Sequence, residues 1–201
     1  MTFAAIVVLG YVLGSCPWGY WLVRVFRGED VRRVGSGGIG ASNVFRAYGR
    51  RLGFPVILLD VVKGFVPAFI GVQAVSPLCG IVAGAAAMAG HYRPLFLGFQ
   101  KGGKMVATAG GVFFGVAVLV ALGAVVVWLL AFAVTRYTSV ASIVSALSLP
   151  VWAAVLGYPP AVIVLGCVSA AAVVFLHRSN LRRLRSGTEN RFRLLRRAAP
   201  Q

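Results

Sequence analysis

The sequence predicts an all-α, polytopic integral membrane protein with seven transmembrane helices, its N-terminus outside and its C-terminus in the cytoplasm. Three observations carry that expectation. Hydrophobic residues make up 59% of the chain, mean hydropathy is +0.88, and only four acids occur among 201 residues, a balance that does not suit a soluble domain. Apolar runs recur at 3–23, 54–75, 78–89, 106–133, 140–157 and 161–176. Of the twenty Lys and Arg, seven fall within 24–51 and eight within 178–197, as expected of cytoplasmic segments beside apolar spans.

The first run has no basic region before it and is too long for a cleaved signal, so it reads as a retained span. Within it, GSCPWG at 14–19 carries Pro17, which removes one backbone donor and predicts a break or kink; the hydroxyl of Ser15 is placed to take up a freed carbonyl. The second run contains Asp60 and Lys63, three apart on one helical face, and these read as a structural ion pair that positions the helix. The third is built on Gly80, Ala83, Gly84, Ala85, Ala87 and Gly90, small residues that let helix backbones approach closely. Cys16, Cys79 and Cys167 lie in apolar stretches with no CxxC pair, so neither a disulfide framework nor a zinc site is expected, and no metal or other cofactor is implied.

Parity decides the fourth run. If the basic segments 24–51 and 92–104, Arg136 and the tail all face the cytoplasm, the chain crosses an even number of times between successive ones. Residues 106–133 therefore have to cross twice, turning near Gly115 or Gly123, as two helices of about 14 residues and roughly 21 Å each. The last two runs bring the total to seven. The chain reads as one transmembrane domain, 1–201, ending in a basic cytoplasmic tail at 177–201. A net charge of +16 is read as retention signal and attraction to anionic lipid, with no nucleic-acid partner.

Three polar clusters end apolar runs on that same side: GSGGIGASNVFR at 35–46, QKGGK at 100–104 and HRSN at 177–180. In the first, Gly35, Gly37 and Gly40 match GxGxxG, but no strand precedes it, which disfavours a dinucleotide fold. Its glycines, interleaved with Ser36, Ser42 and Asn43 and followed by Arg46, read as an anion-binding nest. The second fits GxxxxGK from Gly98, with Met105 where magnesium would require Ser or Thr, so ATP hydrolysis is not expected. Lys104 before a helix N-terminus remains a phosphate contact, with Thr108 one turn on. His177 and Asn180 share a face at the end of the last span, where a helix C-terminus favours cationic histidine. His91, in GHYRPLF, reads as structural, turning the chain before Pro94.

Taken in order, GSCPWG, GSGGIGASNVFR, DVVKG at 60–64, GHYRPLFLGFQKGGKMVAT and HRSNLRRLRSGTE resemble the bacterial acyl-phosphate:glycerol-3-phosphate acyltransferases, the PlsY family. The resemblance covers nearly the whole chain. It implies seven transmembrane helices in the bacterial inner membrane and transfer of a fatty acyl group from acyl phosphate to the 1-hydroxyl of glycerol 3-phosphate. Membrane lipid is the expected surroundings and a monomer the expected unit. Motif by motif, it implies phosphate binding by Ser36, Gly37, Gly40, Ser42, Asn43 and Arg46, then by Gly102, Gly103, Lys104 and Thr108. Catalytic roles fall to His177, Asn180 and Ser36, and Glu189 is implied to hold the cytoplasmic tail together. Gly38, Ser42, Met105 and Leu176 depart from the family pattern, which has Asn, Thr, Gly and Arg there.

Acyl phosphate already carries a good leaving group, so the chemistry asks for charge neutralisation by Arg46, Lys104 and loop amides more than for a general acid. The proton of the attacking hydroxyl would go to His177 or to a phosphate oxygen of the substrate. Neither His91 nor His177 begins an HxxxxD pattern, which disfavours an acyl-CoA donor. A phosphate or organic-anion transporter is the alternative, but such proteins usually bind near the midplane and show internal repeats, and neither feature is evident.

Overall fold

The computed structural model describes residues 2–192; Arg193, Arg196 and Arg197 of the basic tail lie outside the described residues. Every α-helix and 3-10 turn is accounted for by ten helices and two short turns, with no strand among the described residues. The helices are α1 (Phe3–Gly14), α2 (Trp18–Arg27), α3 (Ala41–Tyr48), α4 (Arg50–Ala74), α5 (Pro77–Tyr92), α6 (Val106–Val116), α7 (Val118–Thr135), α8 (Thr138–Val155), α9 (Pro160–Leu176) and α10 (Arg178–Arg185). Four elements are long and apolar enough to cross a membrane: α1 with α2, α4, α7 and α8; the bent pair of α9 and α10 makes a fifth. Helices α5, of 16 residues, and α6, of 11, are shorter.

Proline chemistry sets the break in the first span. Pro17 cannot donate, and it becomes the residue before α2 at φ −88° and ψ 69°. The Ser15 hydroxyl donates to the Tyr11 carbonyl at 2.8 Å, but that carbonyl already accepts from the Ser15 amide at 2.9 Å, so the bond satisfies the hydroxyl inside the apolar layer and does not take up a carbonyl freed by proline.

Small residues decide the packing around α5. A methyl at Gly10 or Gly14 of α1 would strike the Ala83 or Ala87 carbonyl of α5, and one at Gly90 would strike the Tyr11 carbonyl. On its other sides α5 meets α4, where Gly80 lies on Ala68 and Val72, and α6, where Gly84 lies on Val112. Such contacts gain dispersion and close backbone approach where lipid offers no hydrophobic driving force.

The long fourth run is divided. Ala117, at φ −158° and ψ 76°, interrupts it two residues after Gly115. Lys104, just before α6, bonds to Asn180 beyond α9, while the Arg136 carbonyl, just after α7, accepts from Phe192 N at 2.8 Å. Asn180 and Phe192 flank Glu189, whose Oε1 also accepts from Ser139 at the start of α8. Helix α6 thus leaves one end of the bundle and α7 returns to it. The reversal places the two halves on different partners: α6 lies along α4 through Gly111 and Gly115, and α7 lies along α8, where the Ala124 carbonyl accepts from Ser145 at 2.7 Å. The same polar end also receives the end of α2, the start of α4 and the end of α5.

Candidate active site

At that end the loop after α2 is tied by one amide. Asn43, in the first turn of α3, donates to the carbonyls of Gly38 at 2.9 Å, Val34 at 3.0 Å and Val31 at 3.4 Å. Its Oδ1 accepts from Ser36 N at 3.0 Å. Gly35 and Gly37 turn the chain at φ +61° and +70°, the left-handed region that glycine enters without penalty. Asn43 is therefore spent on the loop backbone, whereas Ser36, Gly37 and Ser42 are exposed on its surface. Gly40 precedes α3 with no side chain capping the helix, which leaves its first amides free.

The second loop is laid against the end of α5. Gly102 N donates to the Tyr92 carbonyl at 2.8 Å and Gly103 N to the His91 carbonyl at 3.0 Å. Neither glycine tolerates a side chain: a methyl at Gly102 would strike the His91 carbonyl, and one at Gly103 the His91 ring. Met105 follows at φ +66°, a left-handed position where glycine is at ease, and starts α6 without a side-chain cap. Arg32 bridges the loops, bonding Asp30 at 2.7 Å and Gln100 at 3.0 Å.

Lys104 then reaches across the bundle end to Asn180 Oδ1 at 2.5 Å. Asn180 Nδ2 donates to Glu189 Oε1 at 2.6 Å; Ser139 Oγ donates to that oxygen at 2.9 Å, and Arg183 Nε to Oε2 at 2.7 Å. Burial would raise the Glu189 carboxyl's pKa, but the bonds from Asn180, Ser139 and Arg183 outweigh it and hold the group below its ordinary value. Burial, with added repulsion from Arg183, Arg46 and Lys101, pulls Lys104 down to about 8 against the opposing attraction of Glu189.

His177 sits at the 55° bend beyond α9, 4% exposed. Its Nδ1 lies 2.8 Å from the Val173 carbonyl, which can only accept, so Nδ1 carries the proton and Nε2 holds the free lone pair. The cation expected from the helix end is not favoured: burial, then the charge of Lys104, depresses His177 to about 4. Neutral histidine cannot neutralise phosphate; its free Nε2 can accept a proton, but burial and the Lys104 charge make it a weak base in the free protein.

A family model for glycerol-3-phosphate acyltransferase matches residues 4–187. The chain belongs to the glycerol-3-phosphate acyltransferase family. It is 44% identical over 190 residues to a glycerol-3-phosphate acyltransferase of Geobacter sulfurreducens, covering 94% of this chain and 96% of that one. An Aquifex aeolicus relative of the same name is 43% identical over 189 residues, covering 93% and 97%. The fold is similar to the crystal structure of PlsY, an integral membrane glycerol 3-phosphate acyltransferase, in its glycerol 3-phosphate form, with TM-score 0.91, 42% identity and coverage of 94% and 95%. The lysophosphatidic acid form gives TM-score 0.88 and 40% identity over the same shares.

The structure therefore brings Arg46, Lys104, His177, Asn180 and Glu189 into one charged neighbourhood, each within reach of another's field. Thr108 does not reach the surface of the site. Fully buried, it packs on Gly64 of α4, and its hydroxyl has no hydrogen-bond partner among the described residues. Lys104 lies before α6, separated from it by Met105 at φ +66°, so the two residues do not share a helical face, and the close approach of α4 at Gly64 encloses Thr108. Asp60 and Lys63 form a 2.7 Å ion pair, 3% and 4% exposed, and Lys63 also donates to the Cys16 carbonyl at the proline break at 2.8 Å. Ser139 and Arg183 hold Glu189; the sequence gives no sign of it, because a serine beside an apolar run and one arginine among the several of the block 177–189 look like their neighbours.

Proposed function

We propose that this protein transfers a fatty acyl group from acyl phosphate to the 1-hydroxyl of glycerol 3-phosphate, releasing lysophosphatidic acid and inorganic phosphate. The observation that carries this reading is the Lys104–Asn180–Glu189 chain of hydrogen bonds, which presents one ammonium at the glycine loop beside a neutral histidine. The relatives' shared name and the two ligand forms of the PlsY structure support the acceptor and the product. Acyl phosphate as donor follows from the motif resemblance.

In the reaction the hydroxyl oxygen attacks the acyl carbonyl, the carbonyl–phosphate bond breaks, and the phosphate leaves with the electron pair. Arg46, Lys104 and the uncapped amides opening α3 and α6 neutralise the phosphates and the developing oxyanion. Asn180 orients Lys104, and the hydroxyl proton passes to His177 Nε2 or to a phosphate oxygen. Ser36, Gly37, Gly40 and Ser42 supply hydroxyl and amide donors on the exposed loop face, while Asn43 holds that loop in shape. Glu189 keeps the segment after α10 against α8.

The surroundings are the bacterial inner membrane, crossed seven times by α1–α2, α4, α5, α6, α7, α8 and α9, with the N-terminus outside and the polar end in the cytoplasm. The alternation of helix direction supports that count. Purified protein in liposomes should release phosphate from palmitoyl phosphate only when glycerol 3-phosphate is present, and Lys104→Ala should reduce that release to a small, measurable residue, about 10²–10³-fold below the wild type. Flux of labelled phosphate without any acyl donor would instead establish the transporter.

A further inference from the structure

The buried charges of α4 have no part in the chemistry above, yet they lie in a continuous polar line that ends at the phosphate-binding loop. Its first member is the Cys16 carbonyl, at the proline break between α1 and α2, which accepts from Lys63 Nζ at 2.8 Å. Lys63 pairs with Asp60 Oδ1 at 2.7 Å. His91 Nδ1 stands 3.7 Å from the same oxygen, buried and without a hydrogen-bond partner among the described residues. Across the ring, the Nε2 end abuts Gly103, where an added methyl would strike Nε2 first and then Cε1 and Cδ2. The His91 carbonyl holds Gly103 N at 3.0 Å. Asp60, Lys63 and His91 are each no more than 5% exposed, and the neighbours they face are one another and the protein backbone.

We infer that His91 is a positioning residue for the phosphate grip: wedged between the Asp60–Lys63 pair and Gly103, it sets the height of the glycine turn and thereby the place of the Lys104 ammonium. The physical argument is rigidity. Two glycines in succession fix nothing by themselves, since each has wide conformational freedom. A planar ring packed on Gly103, backed by an ion pair that is itself bonded to the first span, removes that freedom from one side, and the two backbone hydrogen bonds to α5 remove it from the other. Asp60 and Lys63 are the fixed wall behind the ring. A displacement of Lys104 by about 1 Å is enough to cost one to two orders of magnitude in a reaction that depends on placement.

This inference rests on the acyl-transfer reading, and a double-mutant cycle tests it with separate outcomes for the two. The Michaelis constant for glycerol 3-phosphate is measured in the wild-type protein, His91→Ala, Lys104→Ala and the double variant, with palmitoyl phosphate saturating and residual turnover followed by phosphate release. His91→Ala should raise the constant about tenfold on the wild-type background and less than about twofold on the Lys104→Ala background, because the ring acts only through that lysine. His91→Gln, which keeps bulk and a polar end against Asp60, should restore most of the loss. Equal factors on both backgrounds, or no rise in His91→Ala, overturn the inference while leaving acyl transfer standing; absence of glycerol 3-phosphate-dependent release in the wild type overturns both. If His91→Ala does not fold, the cycle is run with His91→Gln and His91→Leu, and a larger rise for Leu than for Gln, confined to the Lys104 background, is the result required.

Discussion

Lys104 is the residue whose protonation decides whether the site holds an anion. With its pKa brought to about 8, the free protein carries the cation below that pH and loses it above. Affinity for glycerol 3-phosphate should therefore fall as pH rises from about 7, where the phosphate is already a dianion, through 8, as measured by calorimetry in detergent. Lys104→Arg, which cannot lose its charge, should flatten that fall even if its overall affinity is lower. The buried pair makes a second prediction. Asp60→Asn or Lys63→Met alone leaves one charge without its partner and should cost about 3–5 kcal/mol in unfolding measurements, whereas the double change should cost distinctly less. At this scale the sequence revealed which residue types matter but not their duties. Asn43 could be picked out by its motif, yet only the distances show its amide spent on three carbonyls of the loop. Met105 illustrates the same point in reverse: its departure from the family's glycine is visible in the chain, and its left-handed φ explains why glycine suits the position.

Among the elements, α6 shares the dependence of α5 on small residues. At Gly111 an added methyl would strike the Val61 carbonyl of α4, while at Gly110 it would meet nothing within 4 Å. Gly111→Ala should destabilise the protein by about 1–3 kcal/mol, since two backbones have to separate. Its neighbour Gly110→Ala should be neutral or stabilising by up to about 1 kcal/mol through helix propensity. Melting temperatures of the two variants in one detergent compare them directly. The break at Pro17 and the small-residue packing of α5 could be read in advance, because proline's missing donor and glycine's missing side chain act locally. The division of residues 106–133 was legible only through charge parity. Ala117 carries no turn signal of its own, and the chain reverses there because α4 and α8 offer packing surfaces to the two halves.

For the whole molecule, the alternating helix directions predict that residues flanking α7 lie on opposite sides of the membrane. In a background lacking Cys16, Cys79 and Cys167, Val118→Cys should react with an impermeant maleimide on intact cells, and Arg136→Cys only after permeabilisation. Labelling of both from one side would remove the seven-span topology. Membrane class, the placing of basic segments on one face and the family itself were determined by sequence, because hydropathy, charge asymmetry and ordered motifs are properties of the chain read from end to end. The tertiary structure alone decided that Lys104 meets Asn180 across 76 positions, that burial pulls the His177 pKa down and not up, that Thr108 is buried and that His91 backs Gly103. Each of these depends on desolvation or on contact between segments distant in sequence, and neither quantity exists until the helices have packed.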